Sequence, residues 1–312
     1  MDAAIVFPGQ GSQYVGMGKD LFDNFDYVKD LFVEASDTLG RDIAHLCFTG
    51  PEAELILTEN TQPTIFTASV AAYEVLKKEM GVAPKIGAGH SLGEYTALVC
   101  AGVLKFGEAV SVLEKRGRFM QEAVPPGKGS MAAIIGLSAG EVEEIITAVD
   151  GVVEIANLNG AGQIVVSGEK EAVLLAIDRA REGGAKRAIE LPVSAPFHSS
   201  LMVPAAERLR PYLVDMSLGD FTFPVVANLT GRPYRKVEEV PSCLERQIFS
   251  PVRWEETVAC FGKEPAGVMV EAGPGKVLTG LARRMLPGWK IGSFGSMEDR
   301  KKVEEIGIRT GG

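Results

Sequence analysis

The densest chemical signal in the chain is the pentapeptide Gly89-His90-Ser91-Leu92-Gly93. It fits G-x-S-x-G, the turn that carries a serine nucleophile between a strand and a helix. Such a turn holds its serine in a strained backbone conformation, and flanking glycines let neighbouring chain pass where a Cβ would clash. The Ser91 hydroxyl then stands clear of the sheet at the start of the next helix. Free N–H groups and the helix dipole favour a developing oxyanion there, and the N–H of Leu92 is the natural first donor.

A serine needs a base, and the chain has three histidines, His45, His90 and His198. His90 lies inside the turn itself and reads as a packing residue. His45 sits in Asp42-Ile43-Ala44-His45-Leu46-Cys47-Phe48, an apolar stretch far from any turn signal, and reads as a core histidine. His198 follows Pro192 and Pro196 in a rigid loop just before a helix, which suits a positioned catalytic side chain. Elimination and context make His198 the base. A third, orienting group is harder to place. An α/β-hydrolase puts an acid between serine and histidine in chain order, but most of that interval here has a pattern of its own. A carbonyl would serve instead, because the need is a fixed tautomer.

Ser91 requires a strand before it and a helix after it. Residues 84–91 read as a short strand entering a tight turn, with helices from Leu92 and over 106–123. Upstream, residues 3–7 form a strand closed by Pro8, and helical periodicity covers 19–39 and 62–80. Pro125-Pro126-Gly127-Lys128-Gly129 is the strongest punctuation in the chain and marks a boundary. Beyond it come a strand (131–136), a helix (139–149), two strands around an Asn-Gly turn (152–156 and 163–167), a helix (169–181) and a strand (186–191). That βαββαβ order is the ferredoxin-like arrangement. Larger alternating elements then return: a helix from Leu201, a strand over 224–228, helices near 241–249 and 254–261, a buried strand over 267–271 and a last helix from Val277. The pattern predicts an α/β large domain of residues 1–127 and 194–312, interrupted by a small domain of residues 128–193. The tail Arg309-Thr310-Gly311-Gly312 is expected to fray.

With 312 residues, 46% of them hydrophobic, the chain can bury a large core, which argues against extensive disorder. A net charge of −9 argues against nucleic acid as the main partner. Cys47, Cys100, Cys243 and Cys260 show neither a Cys-x-x-Cys pair nor metal-ligand spacing and read as buried, reduced thiols. The start lacks a basic segment followed by an apolar one, and no apolar run reaches the roughly 20 residues that span a bilayer. The expectation is a cytoplasmic protein with no membrane segment and no metal.

Further motifs sharpen the reading. Phe7-Pro8-Gly9-Gln10-Gly11-Ser12-Gln13, Gly89-His90-Ser91-Leu92-Gly93-Glu94-Tyr95, Arg116-Gly117-Arg118-Phe119-Met120-Gln121, Asn157-Leu158-Asn159-Gly160, Ala195-Pro196-Phe197-His198-Ser199 and Gln247-Ile248-Phe249-Ser250-Pro251-Val252 occur in this order. With them the chain closely resembles the malonyl-CoA:acyl carrier protein transacylases over essentially its whole length. The resemblance implies an α/β-hydrolase-like large domain with a ferredoxin-like small one. It implies transfer of malonyl from malonyl-CoA to the phosphopantetheine thiol of an acyl carrier protein through a malonyl-serine ester, supplying fatty acid biosynthesis. Ser91 would be the nucleophile and His198 the base. Gln10 would supply an oxyanion N–H beside that of Leu92, Arg116 would clamp the malonyl carboxylate, and the main-chain carbonyl of Gln247 would hold His198. Phe197, next to the base, resembles the malonyl-type rather than the methylmalonyl-type pattern. No cofactor is implied, since malonyl-CoA and phosphopantetheine are substrates, and a monomer is expected. A carboxylate buried unpaired would cost several kcal/mol, and a guanidinium matches it bidentately. A discrete polyketide-synthase acyltransferase shares these motifs. A serine esterase or thioesterase shares the elbow but has no use for a clamp at Arg116 or for the Gln10 turn.

Overall fold

The computed structural model describes residues 2–262 and 267–307; the tail expected to fray lies outside them. The chain runs through β1 (Asp2–Phe7), β2 (Ala83–Gly89), β3 (Gly129–Ile135), β4 (Val153–Leu158), β5 (Gln163–Glu169), β6 (Arg187–Glu190), β7 (Val225–Ala227), β8 (Arg232–Pro233), β9 (Val268–Ala272) and β10 (Lys290–Phe294). Six of these strands form one sheet in the order β10-β9-β1-β2-β7-β8, parallel except for the β7–β8 pair. Helices cover both faces of a parallel sheet, so its central strands are mostly apolar. Ala3 to Phe7 in β1 and every residue of β9 are buried accordingly.

Register brings the site together. Phe7 pairs with Gly89, and Ala88 pairs with Val226. The loops leaving β1, β2 and β7 therefore emerge side by side at the carboxyl ends of the strands, where ligands bind in open α/β sheets. Those loops carry Gln10, Ser91 and Asn228.

The remaining four strands form a separate antiparallel sheet in the order β4-β5-β3-β6, with helices Ala139–Thr147 and Lys170–Glu182 in the connections. This is the βαββαβ order, with its own core around Ile134, Val166 and Val173. An isolated bridge from Asn157 to Val252 ties it to the large sheet's side of the molecule.

Several elements depart from the periodicity. The helix read over 19–39 is two, Lys19–Asn24 and Asp26–Leu39, parted by Phe25 in extended conformation. The Asn24 amide donates to the carbonyl of Asp20 at 2.7 Å, a local bond that competes with helix continuation. Asp42 caps a further helix, Ile43–Thr49, by accepting the His45 N–H. Ile43, Leu46 and Cys47 make its buried face, so His45 is exposed on the other face and is not a core histidine. The helix expected from residue 62 starts earlier, as Thr58–Met80, and contains Pro63. Proline frees the carbonyl four residues before it, and the Glu59 carbonyl takes the Arg41 guanidinium at 3.0 Å instead. Helix Val277–Met285 is not the last element, since β10 and helix Arg300–Glu305 follow. Among the cysteines, Cys47 and Cys100 are buried while Cys243 and Cys260 are only partly so. No helix among the described residues is long and apolar enough to cross a membrane.

Candidate active site

Ser91 sits between β2 and helix Leu92–Cys100 with φ 53° and ψ −107°, a left-handed region that a serine adopts only under constraint. Both flanking glycines are sterically required. A Cβ on Gly89 would lie 1.9 Å from the Gly93 carbonyl, and one on Gly93 would lie 2.2 Å from the Phe7 carbonyl oxygen. Asn228, just past β7, clamps the turn from the side. Its Oδ1 accepts the Ser91 N–H at 2.7 Å and its Nδ2 donates to the Gly89 carbonyl at 2.7 Å.

The loop before His198 is braced by packing. The Pro196 ring lies where a Cβ on Gly129 would sit, and the Ser199 hydroxyl donates to the Pro196 carbonyl at 2.7 Å. His198 itself has φ 60° and is buried. Its Nδ1–H donates to the main-chain carbonyl of Gln247 at 2.8 Å. Gln247 is the last residue of helix Val240–Gln247, whose terminal carbonyls lack helical partners. That bond leaves Nε2 as acceptor, 2.8 Å from Ser91 Oγ. Burial, and next the Arg116 charge, pull His198 down to about 3, against the lift from the Gln247 carbonyl. The imidazole is therefore neutral at physiological pH, as a base must be before it takes a proton.

Arg116 comes from helix Phe106–Glu122, which packs so closely on helix Thr58–Met80 that a Cβ on Gly117 would lie 2.4 Å from the Thr58 carbonyl oxygen. The guanidinium is 1% exposed. Its Nη1 donates to Gln62 Oε1 at 2.7 Å, and its Nη2 donates to Gln247 Oε1 at 2.9 Å and Ser91 Oγ at 3.0 Å. Its Nε has no hydrogen-bond partner among the described residues, and the Tyr95 ring lies 5.6 Å from its carbon. No carboxylate forms an ion pair with it among the described residues; its partners are amides and a hydroxyl. A buried cation so placed can pair with an anion bound beside the serine.

Leu92 is the first residue of its helix, where N–H groups lack helical acceptors. Gln10 follows Gly9, whose Cβ would lie 2.6 Å from the His90 carbonyl oxygen, so the β1 loop presses on the elbow. The Gln10 side chain donates to Thr58 Oγ1 at 3.4 Å. His90 packs: its Nε2 is 3.0 Å from Asn159 Oδ1 and its ring centroid 5.6 Å from that of Trp254.

Ser91, His198, Arg116 and Gln247 thus form one hydrogen-bonded cluster, with Leu92 and Gln10 on the elbow and the loop against it. Residue reasoning missed Gln62 and Asn228. A polar residue at the carboxyl end of a buried strand was a signal for Asn228, and Gln62 carried none. Among the described residues no group of three His, Cys, Asp or Glu side chains is placed to hold a metal ion.

Fold and cluster together define the class of the molecule: it is an acyltransferase on an α/β sheet. Residues 4–293 match the acyl transferase domain, and the chain belongs to that family. It is similar to the malonyl CoA-acyl carrier protein transacylase of Bacillus subtilis (strain 168), at 46% identity over 90% of each chain. It is also similar to the solved acyl-carrier-protein-S-malonyltransferase of Bartonella henselae, at 42% identity with TM-score 0.93, over 98% of this chain and 100% of that one. A malonyl-transacylase solved in complex with a type II PKS acyl-carrier protein matches with TM-score 0.93 at 44% identity, over 98% and 99% of the two chains.

Proposed function

We propose that the enzyme transfers malonyl from malonyl-CoA to the phosphopantetheine thiol of an acyl carrier protein, supplying fatty acid biosynthesis. The observation that carries this reading is the buried Arg116 guanidinium, without a carboxylate partner among the described residues and 3.0 Å from Ser91 Oγ. A short acyl chain that ends in a carboxylate would set an anion directly against Arg116 at the distance of an ester on that serine.

In this mechanism His198 Nε2 takes the Ser91 proton as Oγ attacks the thioester carbonyl. The N–H groups of Leu92 and Gln10 hold the tetrahedral oxyanion. Collapse breaks the C–S bond, and the imidazolium returns its proton to the departing CoA thiolate. The partial negative charge at the helix end carrying Gln247 steadies the imidazolium meanwhile. A malonyl ester remains on Ser91, with its carboxylate on Arg116. The carrier thiol then attacks that ester as His198 accepts its proton; collapse breaks the ester C–O bond, and the imidazolium returns the proton to Ser91 Oγ. No cofactor enters the scheme. We take residues 1–127 and 194–312 as the catalytic domain and 128–193 as the small one, acting as a cytoplasmic monomer.

The test is transfer from isolated malonyl-enzyme. Added holo-acyl carrier protein gains the malonyl mass on its phosphopantetheine, and the apo form does not. Release of free malonate without transfer would make the enzyme a thioesterase.

A further inference from the structure

Glu94, three residues after Ser91, is 1% exposed and has no part in the scheme above. Its Oε2 accepts from Gln247 Nε2 at 2.6 Å and from the Asn228 N–H at 3.1 Å, and its Oε1 accepts from the Tyr234 hydroxyl. Three donors converge on it, which is the environment of an ionised carboxylate. The Gln247 amide lies between this anion and the Arg116 cation. Its Nε2 donates to Glu94 and, at 3.0 Å, to the Ser91 carbonyl, while its Oε1 accepts from Arg116 at 2.9 Å. Turned over, that amide would set its NH2 against a guanidinium and its oxygen against a carboxylate. The two charges therefore fix one orientation. The same residue's main-chain carbonyl holds His198.

We propose that Glu94 is a positioning residue whose negative charge locks the Gln247 amide, and through it aligns Arg116 and His198 on Ser91. The proposal rests on the reading that Ser91 carries the acyl group. The titratable and charged groups that face Glu94 are Arg116 from its helix, Tyr95 on Glu94's own helix, Tyr234 after β8 and Cys243 on the helix of Gln247. Of these only Arg116 is charged at neutral pH: the two tyrosines are raised, and the Cys243 thiol is pushed up to about 11, in each case chiefly by burial. Burial also pushes Glu94 up to about 7, against its hydrogen bonds and Arg116. His198 lies far below, at about 3. Within the cluster, the group that changes charge near neutrality is Glu94 rather than the histidine. Protonated, Glu94 can donate from Oε1 to the Tyr234 oxygen and still accept at Oε2, so the bonds persist while the charge is lost. Glu94→Gln makes that state permanent.

The experiment follows kcat/KM for malonyl-CoA, with holo-acyl carrier protein, from about pH 5.5 to about pH 9. Wild type rises through pH about 7 to a plateau. Glu94→Gln is flat, meets wild type at the acid end and falls about 10-fold short of the plateau, the difference in scale between a hydrogen bond to a charged group and one to a neutral group. Tyr234→Phe keeps the charge but removes a donor that lowers the Glu94 pKa, so its limb moves to higher pH. That second variant answers the question even where Glu94→Gln folds poorly. A Glu94→Gln enzyme with the wild-type limb and plateau, or an unmoved limb in Tyr234→Phe, overturns the role of Glu94 alone. Wild-type enzyme that loads no malonyl on Ser91 overturns the acyltransferase reading and this proposal together.

Discussion

His198 is held in two ways that act on its proton. The Gln247 carbonyl fixes its tautomer, and burial beside Arg116 pulls its pKa to about 3 from an ordinary 6.5. An unfolded chain protonates this ring near 6.5, and the folded one does not until about 3. Its contribution to stability is therefore complete above pH 6.5 and is lost as pH falls from there toward 3. Glu94 runs the other way, with a folded value of about 7 against 4.5: its contribution is complete below 4.5 and is lost as pH rises through 7. Between those ordinary values the two slopes oppose. His198→Gln removes the acid-sensitive one, so its melting temperature gains on wild type as pH falls from about 6.5 to about 5, by about 2 kcal/mol or several degrees. A pH-independent difference in melting temperature would contradict the depressed histidine. Sequence alone offered His198 by elimination. It misplaces His45, because the surrounding stretch is apolar while Asp42 begins a helix whose buried face leaves position 45 outside.

Strand, turn and helix around Ser91 depend on close backbone contact, and the two kinds of glycine in this chain separate accordingly. Gly93→Ala drives a Cβ to 2.2 Å from the Phe7 carbonyl oxygen in the central sheet, where nothing flexible can yield. We predict a loss of about 3 kcal/mol or more in denaturant unfolding, with the enzyme inactive. Gly280→Ala, inside helix Val277–Met285 with nothing within 4 Å of the added Cβ, gains about 0.5–1 kcal/mol by the same measurement. Equal effects would mean that the elbow tolerates a wider turn than its packing allows. The elbow was legible because its pattern is local and its reason is steric. The βαββαβ order was legible too, because each element has its own period. What holds Ser91 from the side was not: Asn228 and Gln247 lie 137 and 156 residues away in the chain, and only the register of β2 with β7 and the end of helix Val240–Gln247 deliver them. The break at Phe25 was hidden for the opposite reason, since a single extended residue interrupts the helix without interrupting its apolar period.

The whole molecule sets a parallel sheet beside a smaller antiparallel one, with loops from both meeting at the elbow through His90 and Asn159 and through the Asn157–Val252 bridge. Helix packing beside Ser91 buries Arg116, and burial of a cation is tolerable because Gln62, Gln247 and the nearby Glu94 share its charge. Arg283 and Arg284 are exposed, and Arg284 reaches Gln163 Oε1 at 3.4 Å across to the small sheet. The central claim is that this architecture loads Ser91 with an acyl group chosen for its free carboxylate. Intact mass after mixing the enzyme with equal malonyl-CoA and acetyl-CoA tests it most directly. Wild type carries malonyl, Ser91→Ala carries nothing, and Arg116→Ala loses at least about 100-fold of the malonyl preference, the cost of truncating one partner of a buried charge pair. Equal loading of both acyl groups by wild type, or a malonyl adduct that survives in Ser91→Ala, would contradict it.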